Sequence, residues 1–463
     1  DVHYRDSIRE PMNDFFRFQN KALISATPIV PEKDSRFDGF MRVLIQPDYV
    51  YRQKLKLITT NNVLETLQEV IEAKRGTVCI FCNSIDSIDS FYRLIPELSN
   101  ACTFCSEDGQ YKLWKGNRRK KSMMITELER YNFFTSLFYS AVDILCKNPP
   151  HVIFVSDLYG AAQSVIDPAT EAIQIIGRFR GGVNSVTHIA SIRPELECMS
   201  SSEIDHWIQG ASTIFNGWKA QLARTTNIGE RTLLQEAIGE NSYLPYLDEN
   251  GKPDSFLIAN FYEKEQVKRL YTSADLLHLA YEQTGYFVFS HEERLMPVSD
   301  NERMAIQHRL AKKKRAELIV RKLEEMEKMS KATDKKIQKR YQRMLMNLIT
   351  STADRYIYDC FCRFGAEFVR EADYNENKLR TALNVSSEHT IKKSGQMRTY
   401  IQRAFPVGAE ISVQEAKSML RQVYKKMGLN TGRGITTKEL EQYAEIENSR
   451  NREARMIKIL KHK

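Results

Sequence analysis

Four short segments combine residue types able to hold phosphate groups. Gln174-Ile-Ile-Gly-Arg-Phe-Arg180 sets Arg178 and Arg180 two residues apart, behind a glutamine and a glycine. A guanidinium stays charged at physiological pH and donates in a planar fork that fits phosphate oxygens. Gly76-Thr-Val-Cys-Ile-Phe-Cys-Asn-Ser84 is an apolar run ending in small polar residues, whose donors suit a phosphate oxygen. Tyr131-Asn-Phe-Phe-Thr-Ser136 ends in the same way, and Asp143 follows eight residues after Thr135. Leu23-Ile-Ser-Ala-Thr-Pro28 is a fourth apolar run, closing on Ser25-Ala-Thr27.

The elements that carry these tips read as a parallel α/β unit. Residues 1 to about 200 alternate short β-rich runs with amphipathic segments. Strands are predicted at Lys21-Ala-Leu-Ile24, Thr77-Val-Cys-Ile-Phe81, Asn132-Phe-Phe-Thr135, Val152-Ile-Phe-Val155 and Val186-Thr-His-Ile189. Between the first two, Val63, Leu64, Leu67, Val70 and Ile71 recur at helical spacing and predict a helix lying on the sheet. Beyond about residue 200 strand signals fade and helical patterns dominate, with a loop at 240–255 marked by its turn formers. The expected fold class is therefore an α/β parallel-sheet lobe followed by a mostly α-helical carboxy-terminal region.

Charge is concentrated rather than spread. Of a formal net charge of +9, the stretch Arg303–Arg343 carries 15 Lys and Arg against 5 Asp and Glu. Residues 300–354 hold neither Pro nor Gly, which predicts one long basic helix or a helical hairpin. Such an element attracts polyanions, or serves as a solvated or coiled-coil arm. The segment 355–463 reads as a small helical module. Ser412-Val-Gln-Glu415 and Thr436-Thr-Lys-Glu439 have capping-box spacing and open predicted helices at 413–427 and 437–447. A winged or helix-turn-helix DNA reader has this layout, and so do many packing modules.

In their order and spacing, the four segments resemble motifs III, IV, V and VI of superfamily 2 helicases, over about residues 1–195. The resemblance implies the tail of a first RecA-like lobe at 1–30 and a second RecA-like lobe at 31–200. A helical accessory region would follow at 201–299. In such enzymes the two lobes sandwich ATP. Arg178 and Arg180 would be arginine fingers, with Gln174 positioning the nucleotide or its water and Gly177 beside them. Asp143 would sit near the ribose or couple the lobes. Asn83, Ser84, Ser106, Thr135 and Ser136 would touch the nucleic-acid backbone, and Ser25 and Thr27 would link hydrolysis to that surface. Asp1 and His3 match the end of the Asp-Glu-x-His box that serves Mg²⁺ and water. The run Arg118, Arg119, Lys120, Lys121 would flank the nucleic-acid channel, with Trp114 or Tyr111 for stacking. The implied cofactors are ATP and Mg²⁺ in the full-length enzyme. The implied partners are nucleic acid, DNA favoured over RNA because of the basic helical region, and the amino-terminal lobe of the same protein.

Three features depart from the family pattern. Position 181 is Gly where the last arginine of motif VI usually stands, and Ala141 replaces a glycine of motif V. No G-x-x-x-x-G-K-[ST] occurs, and the only Gly-Lys pair, Gly251-Lys252, runs into Pro253. Without a phosphate-cradling loop the chain alone is not expected to turn over ATP. The alternative is a non-catalytic nucleic-acid-binding scaffold with a RecA-like lobe and a basic helical arm, or an assembly factor using that arm as a coiled coil.

Other chemistries are less well served. Cys79, Cys82, Cys102 and Cys105 match a zinc-ribbon spacing, but strand alternation points the members of each pair to opposite faces, so structural cysteines and no metal site are expected. Cys360 and Cys362 chelate poorly from a helix. The 42% apolar content lacks a run long enough for a membrane span, and with no secretory leader visible a cytoplasmic location is expected.

Overall fold

The computed structural model describes residues 11–29, 34–114, 120–125, 127–140, 142–306, 311–330, 343, 344, 347, 349, 351–429, 434–450 and 454–463. The chain forms two compact units, 1–304 and 305–463.

The first unit is built on an eight-stranded sheet. Its strands are β1 (Gln53–Thr60), β2 (Val78–Phe81), β3 (Cys102–Phe104), β4 (Lys120–Ser122), β5 (Tyr131–Phe134), β6 (His151–Ser156), β7 (Ser185–Ser191) and β8 (Phe287–Arg294). They lie in the order β4-β3-β5-β2-β6-β7-β1-β8, every pair parallel. A parallel sheet is covered on both faces, and β2 and β5 are accordingly buried along their whole length.

One face packs against α1 (Val63–Glu72) and α2 (Ile85–Leu94), through Leu64, Leu67, Ile71, Ile88 and Phe91. The five residues predicted for the inner stripe of α1 are all buried, and Asn62 caps it by accepting from the Glu65 N–H at 2.9 Å. The other face carries an aromatic seam in which Phe134 stacks on Phe81 at 5.0 Å and on Phe104 at 4.8 Å between centroids. α3 (Glu107–Trp114) joins the first face through Leu113, and three other helices pack onto the second face or its edge. They are α4 (Glu171–Gly177), α7 (Ser255–Leu270) and α8 (Ala274–Gln283), which follow or flank the exposed hairpin of α5 (Ser201–Arg224) and α6 (Ile228–Gly239). A buried polar network fastens that side. The His188 ring meets Ser156 Oγ at 3.0 Å and Tyr281 OH at 2.7 Å, and Tyr271 OH donates to the Ile166 carbonyl at 2.7 Å. Burial pushes His188 down to about 3, so the ring is neutral.

Two expectations for this unit are corrected. Lys21–Ile24 is not a strand: Leu23 and Ile24 are exposed, and no strand in the described residues pairs with them. The sheet also does not end near residue 200, because β8 joins the edge beside β1. Its charged end, His291-Glu-Glu-Arg294, suits an edge strand and hides its pattern.

The second unit contains α9 (Lys312–Ser330), α10 (Thr352–Glu371), α11 (Glu376–Lys392), α12 (Gly395–Ala404) and α13 (Val413–Lys426). The expected basic helix is described over α9, while 331–342 lies outside the described residues. Gly365, at φ 85°, breaks α10 in two. The carboxy-terminal module is not wholly helical. Strands β9 (Glu410–Ser412), β10 (Ala444–Arg450) and β11 (Arg455–His462) form an antiparallel sheet in the order β10-β11-β9. The helix expected at 437–447 is a 3₁₀ turn at Thr437–Gln442, after which pairing with β11 captures the chain. No helix among the described residues is long and apolar enough to cross a membrane.

Candidate functional site

Ligands of open parallel sheets bind beyond the carboxyl ends of the strands. There, a cleft of about 630 Å³ opens past the ends of β2, β3 and β5. Asn83, Ser84, Ser106, Thr135 and Ser136 all line it. Local sequence places each. Ser84 ends the β2 segment and caps α2, its hydroxyl accepting from the Ser87 N–H at 3.1 Å. Ser106 does the same for α3, accepting from the Gly109 N–H at 3.4 Å. Two helix amino termini, each carrying positive partial charge, thus border the cleft behind serine hydroxyls. Thr135 spends its hydroxyl on the Phe104 carbonyl at 3.4 Å, which fixes the β5 tip, and Ser136 stays half exposed.

Sequence reasoning missed other lining residues. Lys112, exposed on α3, brings a cation. Gln163 closes one side, its carbonyl accepting from Asn83 Nδ2 at 3.5 Å. Tyr139 is 2% exposed and its hydroxyl has no hydrogen-bond partner among the described residues, a cost of about 1–3 kcal/mol that a ligand donor or acceptor would remove. Glu171 contributes a carboxyl that burial raises to about 7. The Ser-Glu-Asp-Gly start of α3 is a readable cap signal. Nothing local marks Gln163 or Tyr139.

A clasp beneath the cleft was also missed. Asp157 accepts from Ser87 Oγ at 2.9 Å and from the Gly160 N–H at 3.1 Å. A Cβ on Gly160 would lie 2.3 Å from Asp157 Oδ2, so any other residue there would have to displace that carboxylate.

The second constellation surrounds α4. Gln174 Nε2 donates to Thr27 Oγ1 at 2.8 Å, and the Thr27 N–H donates to Ser25 Oγ at 3.1 Å. The Ser25–Thr27 segment is therefore held against the glutamine from 147 residues away. Arg178 donates through Nε to the Gln174 carbonyl at 3.0 Å and through Nη2 to Gln174 Oε1 at 3.2 Å. Burial and the neighbouring Arg180 charge lower the Arg178 pKa from its ordinary value. Arg180 pairs with Asp143 at 3.0 Å, both side chains largely exposed. The site around Gly177 is open, since a Cβ there would meet nothing within 4 Å.

The remaining candidates do not join these groups. Lys121 donates to the Gln110 carbonyl at 3.0 Å and does not line the cleft. The Lys120 side chain, Trp114 side chain, Arg118, Arg119, Asp1, His3 and Ala141 lie outside the described residues. The cysteines divide by face: Cys79 and Cys102 in one core, Cys82 and Cys105 in the other. No group of three metal-ligating side chains occurs among the described residues. No protein-family model, curated protein or solved structure matches the chain.

Proposed function

We propose that the first unit is the second RecA-like lobe of a superfamily 2 helicase or translocase, which binds a nucleic-acid backbone and lends arginines to an ATP site shared with a first lobe. The observation that carries this reading is the convergence of Asn83, Ser84, Ser106, Thr135 and Ser136 on one cleft. These residues belong to three separate sequence segments. Two capped helix amino termini and Lys112 give the cleft the donors that backbone phosphates need.

The α4 group supports the other half of the reading. Two bonds to Gln174 pre-orient Arg178, leaving Nη1 to donate elsewhere. A pre-set donor aimed at developing phosphate charge lowers a phosphoryl-transfer barrier without reorganisation. Arg180 leaves Asp143 at small cost, because an exposed ion pair contributes about 0–1 kcal/mol. The Thr27–Gln174 bond offers a path between the two lobes' segments. ATP with Mg²⁺ would supply the free energy for stepping. Leu23, Ile24, Met41, Val43, Leu44 and Ile45 are 53–96% exposed, a surface that a first lobe would cover.

The test is nucleic-acid-stimulated ATPase activity of the full-length protein. Arg178→Ala is expected to lower kcat by at least a hundredfold while leaving oligonucleotide affinity near wild type. An undiminished rate in both Arg178→Ala and Arg180→Ala would refute the assignment and favour a scaffold.

A further inference from the structure

The carboxy-terminal module combines a topology and a charge pattern that the first unit's reading does not use. In chain order it runs α12, β9, α13, a 3₁₀ turn, β10, β11, with sheet order β10-β11-β9. The β10–β11 hairpin projects from a helical core of α12 and α13, with a 3₁₀ turn at Thr437–Gln442 leading into it. The module's core is closed by Met397, Ile401, Phe405, Leu420, Val423, Leu440, Ile457 and Ile459. Ser394–Lys463 carries 14 Lys and Arg against 7 Asp and Glu.

At the base of the hairpin the outward residues are complementary: Glu445 faces Lys461 and Glu447 faces Lys458, which Glu410 of β9 also faces. Further out, Arg450 stands directly opposite Arg455. Both are exposed, and neither has an acidic partner among the described residues. Like charges facing each other across an antiparallel pair destabilise it, so this pair costs the fold something that an anion between or beside them would return. The helix dipole accounts for Lys425 and Lys426 in the last turn of α13, but nothing among the described residues accounts in that way for the arginine pair.

We propose that the β10–β11 hairpin binds the phosphodiester backbone of double-helical nucleic acid through Arg450 and Arg455. Double-helical rather than single-stranded acid is indicated by the aromatic residues. Phe405, Tyr424 and Tyr443 are buried and Tyr400 is half-buried, so among its described residues the module offers no fully exposed aromatic ring on which an unpaired base would stack. A duplex presents its phosphates outward and asks for cations alone. The inference concerns the second unit only and stands whether or not the first unit is a helicase lobe.

The experiment uses the 463-residue chain and fluorescence anisotropy with a labelled blunt duplex of about 24 base pairs, as DNA and as RNA, and with the matching single strand. Each is titrated across KCl concentrations. Arg450→Gln/Arg455→Gln is expected to weaken duplex binding about tenfold and to reduce the salt slope by about 2, since each phosphate contact contributes about 0.9. Single-strand binding should not change. Arg450→Lys/Arg455→Lys, which keeps both charges, is expected to retain most of the slope. Loss on one duplex type or on both supports the proposal and identifies the double helix bound. Unaltered duplex affinity and slope in the glutamine variant would overturn it, as would an equal loss on duplex and single strand.

Discussion

Gly160→Ala probes the clasp that positions the cleft. The added Cβ would lie 2.3 Å from Asp157 Oδ2, 2.7 Å from Ser87 Oγ and 2.9 Å from Asp157 Cγ. Asp157 and Ser87 are 4% and 2% exposed, so neither can swing into solvent. The strain is relieved by turning the carboxylate, which breaks its bonds to Ser87 Oγ and the Gly160 N–H. A hydrogen bond to a charged group is worth about 1.5–3 kcal/mol, and overpacking alone costs about 1–3 kcal/mol. Allowing for partial relaxation, the expected loss is about 3 kcal/mol. Ser87 also donates its N–H to Ser84, so a displaced Ser87 loosens the cap of α2 and should weaken oligonucleotide binding. Urea unfolding followed by tryptophan fluorescence reads the effect, because Trp114, Trp207 and Trp218 all belong to the first unit. Gly177→Ala is the control: its Cβ meets nothing within 4 Å, and a change below about 1 kcal/mol is expected. A Gly160→Ala loss below about 0.5 kcal/mol would refute the clasp.

Two further outcomes concern one half-buried and one buried polar group. Glu263 is raised to about 8, chiefly by burial and then by Asp167 and Glu171, against an ordinary value of 4.5. Its contribution to stability is fully present below about pH 4.5 and is lost as pH rises through 8, so Glu263→Gln, which cannot ionise, should gain on wild type between pH 5 and pH 9 in the same urea assay. Parallel pH curves for the two proteins would contradict this. Tyr281→Phe removes the partner of His188 Nδ1 at 2.7 Å inside a fully buried network, and a loss of about 1–3 kcal/mol is expected. Wild-type stability in that variant would show that the network does not hold α8 to the sheet.

The sequence was legible where one segment carries its own signal. The inner stripe of α1, the tips of β2 and β5 and the division of the cysteines between faces all follow from local periodicity. It was misleading where a neighbour decides. Lys21–Ile24 has the apolar run of a strand, but a strand needs a paired edge, and periodicity does not say whether one is present. Thr436 and Glu439 do form the predicted contact, the Thr436 N–H reaching Glu439 at 3.4 Å, yet residues 444–450 pair with a strand that begins at Arg455. The cleft was readable as a set of polar strand ends. Lys112, Tyr139, Gln163 and the Ser87–Asp157–Gly160 clasp were not, because their roles depend on which loops and helices meet above the sheet.

The most direct test of the cleft is amide hydrogen exchange of the 463-residue chain with and without a saturating single-stranded oligonucleotide of about 12 nucleotides. Slower exchange is predicted together at residues 83–87, 106–110 and 135–139, the three segments that end β2, open α3 and follow β5. Unchanged exchange in all three at saturation would contradict the account.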